Sequence, residues 1–299
     1  MINFNEGQEK LNKFTGSERK RTIILNGETY MLKFPDPVHH PKFKNLLSYK
    51  NNVFSEHIGS SIFKSCGFNT QDTVLGYFVD ERGKEKIVVG CKDFTANGGD
   101  LYEISTLLNQ ITTSDEKLSP TIENVYFIIE NISLIKDKAE ILSSFWDMFV
   151  IDALIGNRDR HFGNWGILEK YGEVSFSPIY DCGSSLSAMQ DDSELQGIMD
   201  NPSLFKQQVL SNVVSSYTIG SKKIKYHEIF KEPPQDLEKA ILRIAPKIDM
   251  DSICRIIYSV SVMPDVRKEY LKKAVELRYT QMILPALKYI QSKEVSKFG

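Results

Sequence analysis

A change of hydrophobic period near residue 94 places the strongest limit on how this chain can fold. Upstream of it, residues 22–34 alternate apolar and polar side chains around Asn26-Gly27. That pair signals a two-residue hairpin, whose central positions need positive φ. Thr22–Leu25 and Thr29–Phe34 are therefore expected as strands, after which Pro35, Pro37 and Pro41 open a loop. Residues 48–66 fit a helix with Val53, Phe54, Ile58, Ile62 and Phe63 on one side and Gly67 as its stop. Val74–Val79 and Lys86–Val89 read as two further strands, joined by a turn at Asp80–Gly83.

Downstream the pattern turns helical. Asp137–Gly156 places Ile141, Leu142, Phe145, Met148, Phe149 and Ile155 on a face wide enough for a buried helix. Short strands are expected at Gly166–Leu168 and Val174–Phe176, and helices at 203–215, 235–247, 249–262 and 264–284. Pro264 suits a first helical turn, and Pro285 is expected to kink or end the last helix. The fold class is α+β. A small strand-rich N-terminal lobe spans residues 1–94, and a larger, mainly helical C-terminal lobe spans residues 95–299.

The net charge of −2 makes no electrostatic case for a nucleic-acid partner. Four cysteines, none in a Cys-x-x-Cys pair, read as reduced thiols rather than a disulfide frame or zinc site. The N-terminus lacks the basic start and apolar run of a signal peptide. The most apolar run, Phe145–Gly156, is too short to span a bilayer and contains Asp147 and Asp152. A cytoplasmic chain with no membrane contact is expected.

The segment Gly156–Asn164, Gly-Asn-Arg-Asp-Arg-His-Phe-Gly-Asn, carries the chemistry, together with Pro178-Ile179-Tyr180-Asp181. Phosphoryl transfer asks for positioning and charge neutralisation more than covalent chemistry. Asp159, following a long buried helix, can accept the proton of an attacking hydroxyl. Asn164 and Asp181 supply hard oxygens for Mg²⁺. Lys33 at a strand end is the cation for a nucleotide's phosphates, and Glu56 on the next helix is the carboxylate to hold it. Gly16 and Ser17, in Phe14–Glu18, form a flexible cover. Each feature alone has a plain alternative, since strand lysines and helix glutamates are usually solvated. Their order along the chain makes them specific together.

His161 has two readings: it polarises the transferred group or relays a proton, or it packs beneath the metal-binding segment and fixes the loop. No metal is assigned to His39, His40 and His57, which lie by Pro37 and Pro41 or on the first helix. Lys222–Lys225 with Tyr226 reads as a solvated turn-and-helix face.

These segments resemble the HipA-like serine/threonine kinases, and in particular their short, CtkA-type members. The resemblance spans roughly residues 10–260. Phe14–Lys20 looks like the family's glycine loop, and Tyr30-Met31-Leu32-Lys33-Phe34-Pro35 like its lysine strand. Glu56 stands at its helix acid, and Cys91-Lys92-Asp93-Phe94 looks like its hinge. Asp159–Asn164 matches the Asp-x-His-x-x-Asn loop, and Pro178–Asp181 the Pro-x-Tyr-Asp segment. The resemblance implies a protein-kinase-like two-lobed fold with Mg·ATP in the cleft, the hinge backbone of Lys92–Phe94 on the adenine, and a protein substrate. It also carries an antitoxin-like partner, set against the absence of the long members' N-terminal subdomain. Lys13 stands where long members carry the serine they phosphorylate in themselves. The Asp-Arg-His triplet is shared with phosphoinositide kinases, so a lipid kinase is the alternative enzyme, and a nucleotide-binding partner module the alternative of another class.

Overall fold

The computed structural model describes residues 1–11, 20–35, 37–39, 47–111 and 119–298. Two short strands, β1 (Ile2–Asn3) and β2 (Gln8–Lys10), precede the first expected hairpin. That hairpin joins β3 (Lys20–Leu25) to β4 (Glu28–Lys33), and Asn26 and Gly27 take the positive φ the turn requires, 52° and 78°. A small separate pair follows, β5 (Pro37–His39) with β6 (Leu47–Tyr49). Because Leu47–Tyr49 pairs as a strand, α1 (Asn52–Ser65) begins four residues later than its apolar pattern predicts. The hairpin of β7 (Thr73–Val79) and β8 (Glu85–Lys92) completes a six-stranded sheet in the order β1-β7-β8-β4-β3-β2.

The two faces of this sheet do different work. On one, Phe4 is fully buried, lying against the backbone of Gly76 and Gly90, where any Cβ would come within 2.5 and 2.4 Å of its ring. Ile23, Leu25, Leu32, Phe34, Phe78 and Val88 pack around it. On the other, Met31, Val89 and Cys91 meet Val53, Phe54, Ile58 and Ile62 of α1 and join the main core. The helix is thus wedged between the sheet and the helical half, with Asn52, Ser55, Glu56 and Ser60 buried among its apolar residues.

Strand pattern does not stop at residue 94. β9 (Asp100–Glu103) leads into α2 (Ile104–Ile111), followed by α3 (Ile122–Asn131) and α4 (Lys138–Ile155). The expected hairpin forms from β10 (Gly166–Lys170) and β11 (Glu173–Phe176), and β9 pairs with β10 as a third strand. α4 is buried along most of its length, as an apolar helix in the middle of a core must be. Asp137 caps its start by accepting from the Glu140 N–H, and Gly156, at φ 67°, closes its end.

After α5 (Asp192–Met199), the helix expected over 203–215 breaks early. α6 (Pro202–Lys206) runs into a π turn at Gln207–Ser211, and Val214–Ile219 becomes strand β12, paired with β13 (Lys222–Lys225). The β-branched and aromatic residues of Val-Ser-Ser-Tyr-Thr-Ile find a partner strand across Gly220, and pairing overrides the helical reading. The lysine run is correspondingly a strand with Ile224 turned inward, and Tyr226 is buried at the start of α7 (Tyr226–Ile229). α8 (Gln235–Ile244), α9 (Met250–Ser259) and α10 (Asp265–Arg278) follow. Pro285 does not end the last helix. A π turn at Tyr279–Ile283 shifts the hydrogen-bond register just upstream of it, and α11 (Leu284–Phe298) continues. Among the described residues no helix is long and apolar enough to cross a membrane.

Candidate active site

Lys33, the last residue of β4, points to the side of the sheet that α1 covers. Its Nζ lies 2.8 Å from Glu56 Oε2 and 2.7 Å from Asp181 Oδ1. Lys33 and Glu56 are almost sealed from solvent, whereas Asp181 keeps 34% of its side chain exposed. Glu56 uses its other oxygen to accept from the Cys182 N–H at 3.1 Å, tying α1 to the residue after Asp181. Asp181 itself takes φ 58°, a left-handed conformation that aspartate tolerates better than most residues.

Close approach of α1 to this segment depends on Gly59. A Cβ there would stand 2.7 Å from the Cβ of Cys182 and 3.3 Å from Ser185 Oγ. Gly59→Ala is therefore expected to destabilise the fold by about 1–3 kcal/mol, since overpacking exceeds the gain of up to about 1 kcal/mol in helix propensity. Urea unfolding measures this, and a stabilised variant would contradict the tight contact.

Burial drives the Lys33 ammonium downward, but the charges of Asp181 and then Glu56 outweigh it and hold the group well above its ordinary 10.5. Burial likewise pushes Asp181 up, and the Lys33 charge reverses this, bringing it from 3.8 to about 2. A depressed folded pKa contributes stability that is complete above the unfolded value, about 4, and is lost as pH falls through about 2. A raised one, as for Lys33, contributes stability that is complete below about 10.4 and is lost as pH rises through the folded value. Asp181→Asn should accordingly flatten the loss of stability between about pH 4 and 2. Urea midpoints measured across that window check it, and an unchanged acid limb would argue against the pair.

The loop after α4 is built from beneath by polar bonds. Asn157 donates from Nδ2 to Asp152 Oδ1 at 2.8 Å and accepts the Asp159 N–H at Oδ1 at 3.1 Å. Its carbonyl accepts from the hydroxyl of Tyr226 at 2.8 Å. Arg160 turns inward and forks onto Asp152, with Nε 2.9 Å from Oδ2 and Nη2 3.2 Å from Oδ1. Its Nη1 donates to the carbonyl oxygens of Asn164, at 2.8 Å, and Tyr180, and its Nη2 lies 3.5 Å from Cys182 Sγ.

On the cleft side, Asp159 is 55% exposed and His161 47%. His161 Nδ1 accepts from the Gly163 N–H at 3.0 Å, so its neutral ring carries the proton on Nε2, 4.0 Å from Asp159 Oδ1. Phe162 and Arg160, not His161, do the packing below the loop. Asn164 donates from Nδ2 to the Asp159 carbonyl at 2.5 Å, which leaves its Oδ1 as the free acceptor of that amide. Glu103, at the end of β9, brings its carboxylate beside Gly163 and accepts from the Ser105 hydroxyl at 3.2 Å.

Lys92 and Phe94 lie where β8 leaves the sheet. The Lys92 side chain pairs with Glu28 at 2.8 Å; its N–H donates to the Asp72 carbonyl, and its carbonyl accepts from Gln71 Nε2. Phe94 packs on Tyr180, ring centroids 6.1 Å apart, and the Tyr180 hydroxyl donates to the Gly163 carbonyl at 3.3 Å. Gly16 and Ser17, and with them Lys13 and Thr15, lie outside the described residues, as do the side chains of His39 and His40.

A divalent cation fits the donor chemistry. Among the described residues no group of three or more His, Cys, Asp and Glu could hold a metal. The site instead presents Asn164 Oδ1 and the Asp181 carboxylate, the sparse hard-oxygen set that suits Mg²⁺ held partly by phosphate and water. Lys33, Glu56 and Asp181 are brought together, with Asp159 and Asn164 on the adjoining loop. Asp152, Asn157 and Tyr226 are additions that the sequence reading missed. An acid isolated inside an apolar helix, as Asp152 is, was the available signal, because such a charge must have a buried partner.

Residues 10–244 match the family described as the HipA-like C-terminal domain. The chain is 35% identical over 269 residues to the serine/threonine-protein kinase CtkA of Helicobacter pylori, covering 88% of this chain and 80% of that protein. It superposes on the crystal structure of the Helicobacter pylori proinflammatory kinase CtkA with a TM-score of 0.88 at 32% identity, over 97% of this chain and 98% of that one. HipA of Shewanella oneidensis, solved with HipB and its operator DNA, shares the fold at a TM-score of 0.53 and 14% identity, over 94% of this chain and 68% of that one. With a kinase-like fold, and with this identity over most of its length, the chain belongs to the HipA-like family of serine/threonine kinases.

Proposed function

We propose that the chain transfers the γ-phosphoryl group of Mg·ATP to a serine or threonine hydroxyl of a protein, in a cleft between lobes that meet near residue 94. The observation that carries this reading is Lys33, held by Glu56 and Asp181 at the edge of the loop that bears Asp159 and Asn164. Lys33 binds phosphate oxygens, and Glu56 keeps its ammonium aimed there. Asp159 takes the proton of the acceptor hydroxyl as the new O–P bond forms and the bond to ADP breaks. Asn164 Oδ1 and the Asp181 carboxylate hold the cation, which when bound neutralises charge on the phosphates. The backbone of Lys92–Phe94 meets the adenine, where the Lys92 N–H is taken by the Asp72 carbonyl and its own carbonyl keeps one lone pair beside the bond from Gln71; the glycine loop, with Gly16 and Ser17, covers the phosphates. Free thiols at Cys66, Cys91, Cys182 and Cys254 support a reducing, cytoplasmic setting. A protein partner of the HipB kind is a proposal that co-purification would test.

The deciding experiment is incubation with γ-labelled ATP, Mg²⁺ and cell lysate, followed by mass-spectrometric mapping of labelled hydroxyls. Label on protein serine or threonine is expected. Label on phosphoinositide would instead favour a lipid kinase, and nucleotide binding without transfer a binding module. His161→Ala is expected to lower kcat by about 10²-fold with little change in KM, because the protonated Nε2 lies 4.0 Å from Asp159 Oδ1 on the same loop. An unchanged kcat would leave His161 only the Gly163 contact.

A further inference from the structure

Arg160 sits in the chain between the two candidate catalytic residues, Asp159 and His161, yet its guanidinium points away from the cleft and is 1% exposed. Its contacts are distributed in an informative way. One fork edge meets both oxygens of Asp152 in α4. The remaining donors reach the Asn164 carbonyl, the Tyr180 carbonyl and Cys182 Sγ. Asn164 is one candidate metal ligand, and Tyr180 and Cys182 are the immediate neighbours of the other, Asp181. One rigid planar group therefore touches both segments that would hold the cation, and flanks Asp181 on either side.

Bulk packing does not call for this arrangement. A buried ion pair can often be exchanged for apolar side chains of similar volume without loss of stability. A lysine could neutralise Asp152, but its compact ammonium could not span Asp152, Asn164 and Tyr180 at once as a planar fork does. Asp152 in turn is shared with Asn157, which holds the Asp159 N–H, so the same carboxylate anchors the proton acceptor's backbone.

We propose that Arg160 is a positioning residue that sets the spacing between Asn164 and Asp181 and thereby the site's affinity for its divalent cation. This rests on the phosphotransfer reading above. Partners that orient metal ligands typically change metal affinity by about 10–100-fold when altered. Arg160→Lys keeps the charge and loses the fork.

The test uses the full chain with a non-hydrolysable ATP analogue and Mn²⁺, bound metal being counted by electron paramagnetic resonance. In Arg160→Lys the Mn²⁺ dissociation constant is expected to rise about 10-fold or more, while affinity for the metal-free analogue stays within about twofold because Lys33 and Glu56 are untouched. The Mg²⁺ concentration giving half-maximal labelling of protein should rise in parallel. Arg267→Lys serves as the control for stability, making the same exchange at a second buried arginine, whose Nε and Nη2 meet Asp192 and the Gln190 carbonyl outside the site. It should lower the melting temperature and leave the Mn²⁺ constant in place. Asp152→Asn, which keeps the shape of the pair, should give a smaller rise and remains informative if Arg160→Lys folds poorly. A folded Arg160→Lys or Asp152→Asn with wild-type Mn²⁺ affinity, or an Arg267→Lys that shifts it equally, overturns the proposal. A wild-type chain that labels no protein at any metal concentration would instead overturn the phosphotransfer reading, and this proposal with it.

Discussion

Asp159→Asn is expected to lower kcat by about 10²- to 10⁴-fold, the range a positioned general base contributes, while KM for ATP stays close to wild type. The fold should be indifferent to the change. More than half of the Asp159 side chain is exposed, and its loop is held through its backbone: the N–H on Asn157 Oδ1 and the carbonyl on Asn164 Nδ2. Asparagine preserves both of these bonds and removes only the proton acceptor. Initial rates with saturating Mg·ATP, read beside a thermal melt, separate the two effects. Full turnover in a folded Asp159→Asn would remove this residue from the mechanism and leave the loop without a base.

Asp152→Ala has the largest expected effect on stability, a loss of about 3–5 kcal/mol. The carboxylate and its partner Arg160 are both 1% exposed, so alanine strands a guanidinium in the core and leaves Asn157 Nδ2 without its acceptor. The asymmetry is physical: removing one member of a buried pair uncovers the full desolvation cost of the other, whereas removing both does not. Replacing Asp152 and Arg160 together by leucine and methionine should therefore recover much of the stability that Asp152→Ala loses. Urea denaturation of the single and double variants gives the comparison. A single variant within about 1 kcal/mol of wild type would show that the pair is not the anchor its burial indicates.

The parts of this protein that can be read from its residues are those governed by local rules. Asn26-Gly27 can form one kind of turn, and it does. The apolar run ending at Gly156 makes a buried helix capped where the glycine predicts. Where local signals competed, the reading failed. Val214–Ile219 has strand residues within a helical period, and only the presence of Lys222–Lys225 across Gly220 settles the matter. Pro285 removes a helical donor, but the π turn upstream of it absorbs the register change, and no local pattern announces that.

The same division runs through the site. Lys33, Glu56, Asp159, Asn164 and Asp181 stand out by residue type and order, because phosphate chemistry accepts few side chains in few spacings. Their meeting is a matter of packing. Lys33 and Asp181 are 148 residues apart in the chain, yet their charged atoms meet at 2.7 Å, a contact that depends on Gly59 letting α1 close on Cys182. Arg160 shows the limit most clearly. Its position in the motif says nothing about whether it faces a substrate or the core, since either direction suits a charged side chain that finds a partner. That choice was made by Asp152, which α4 holds in the core and which would be intolerable there alone.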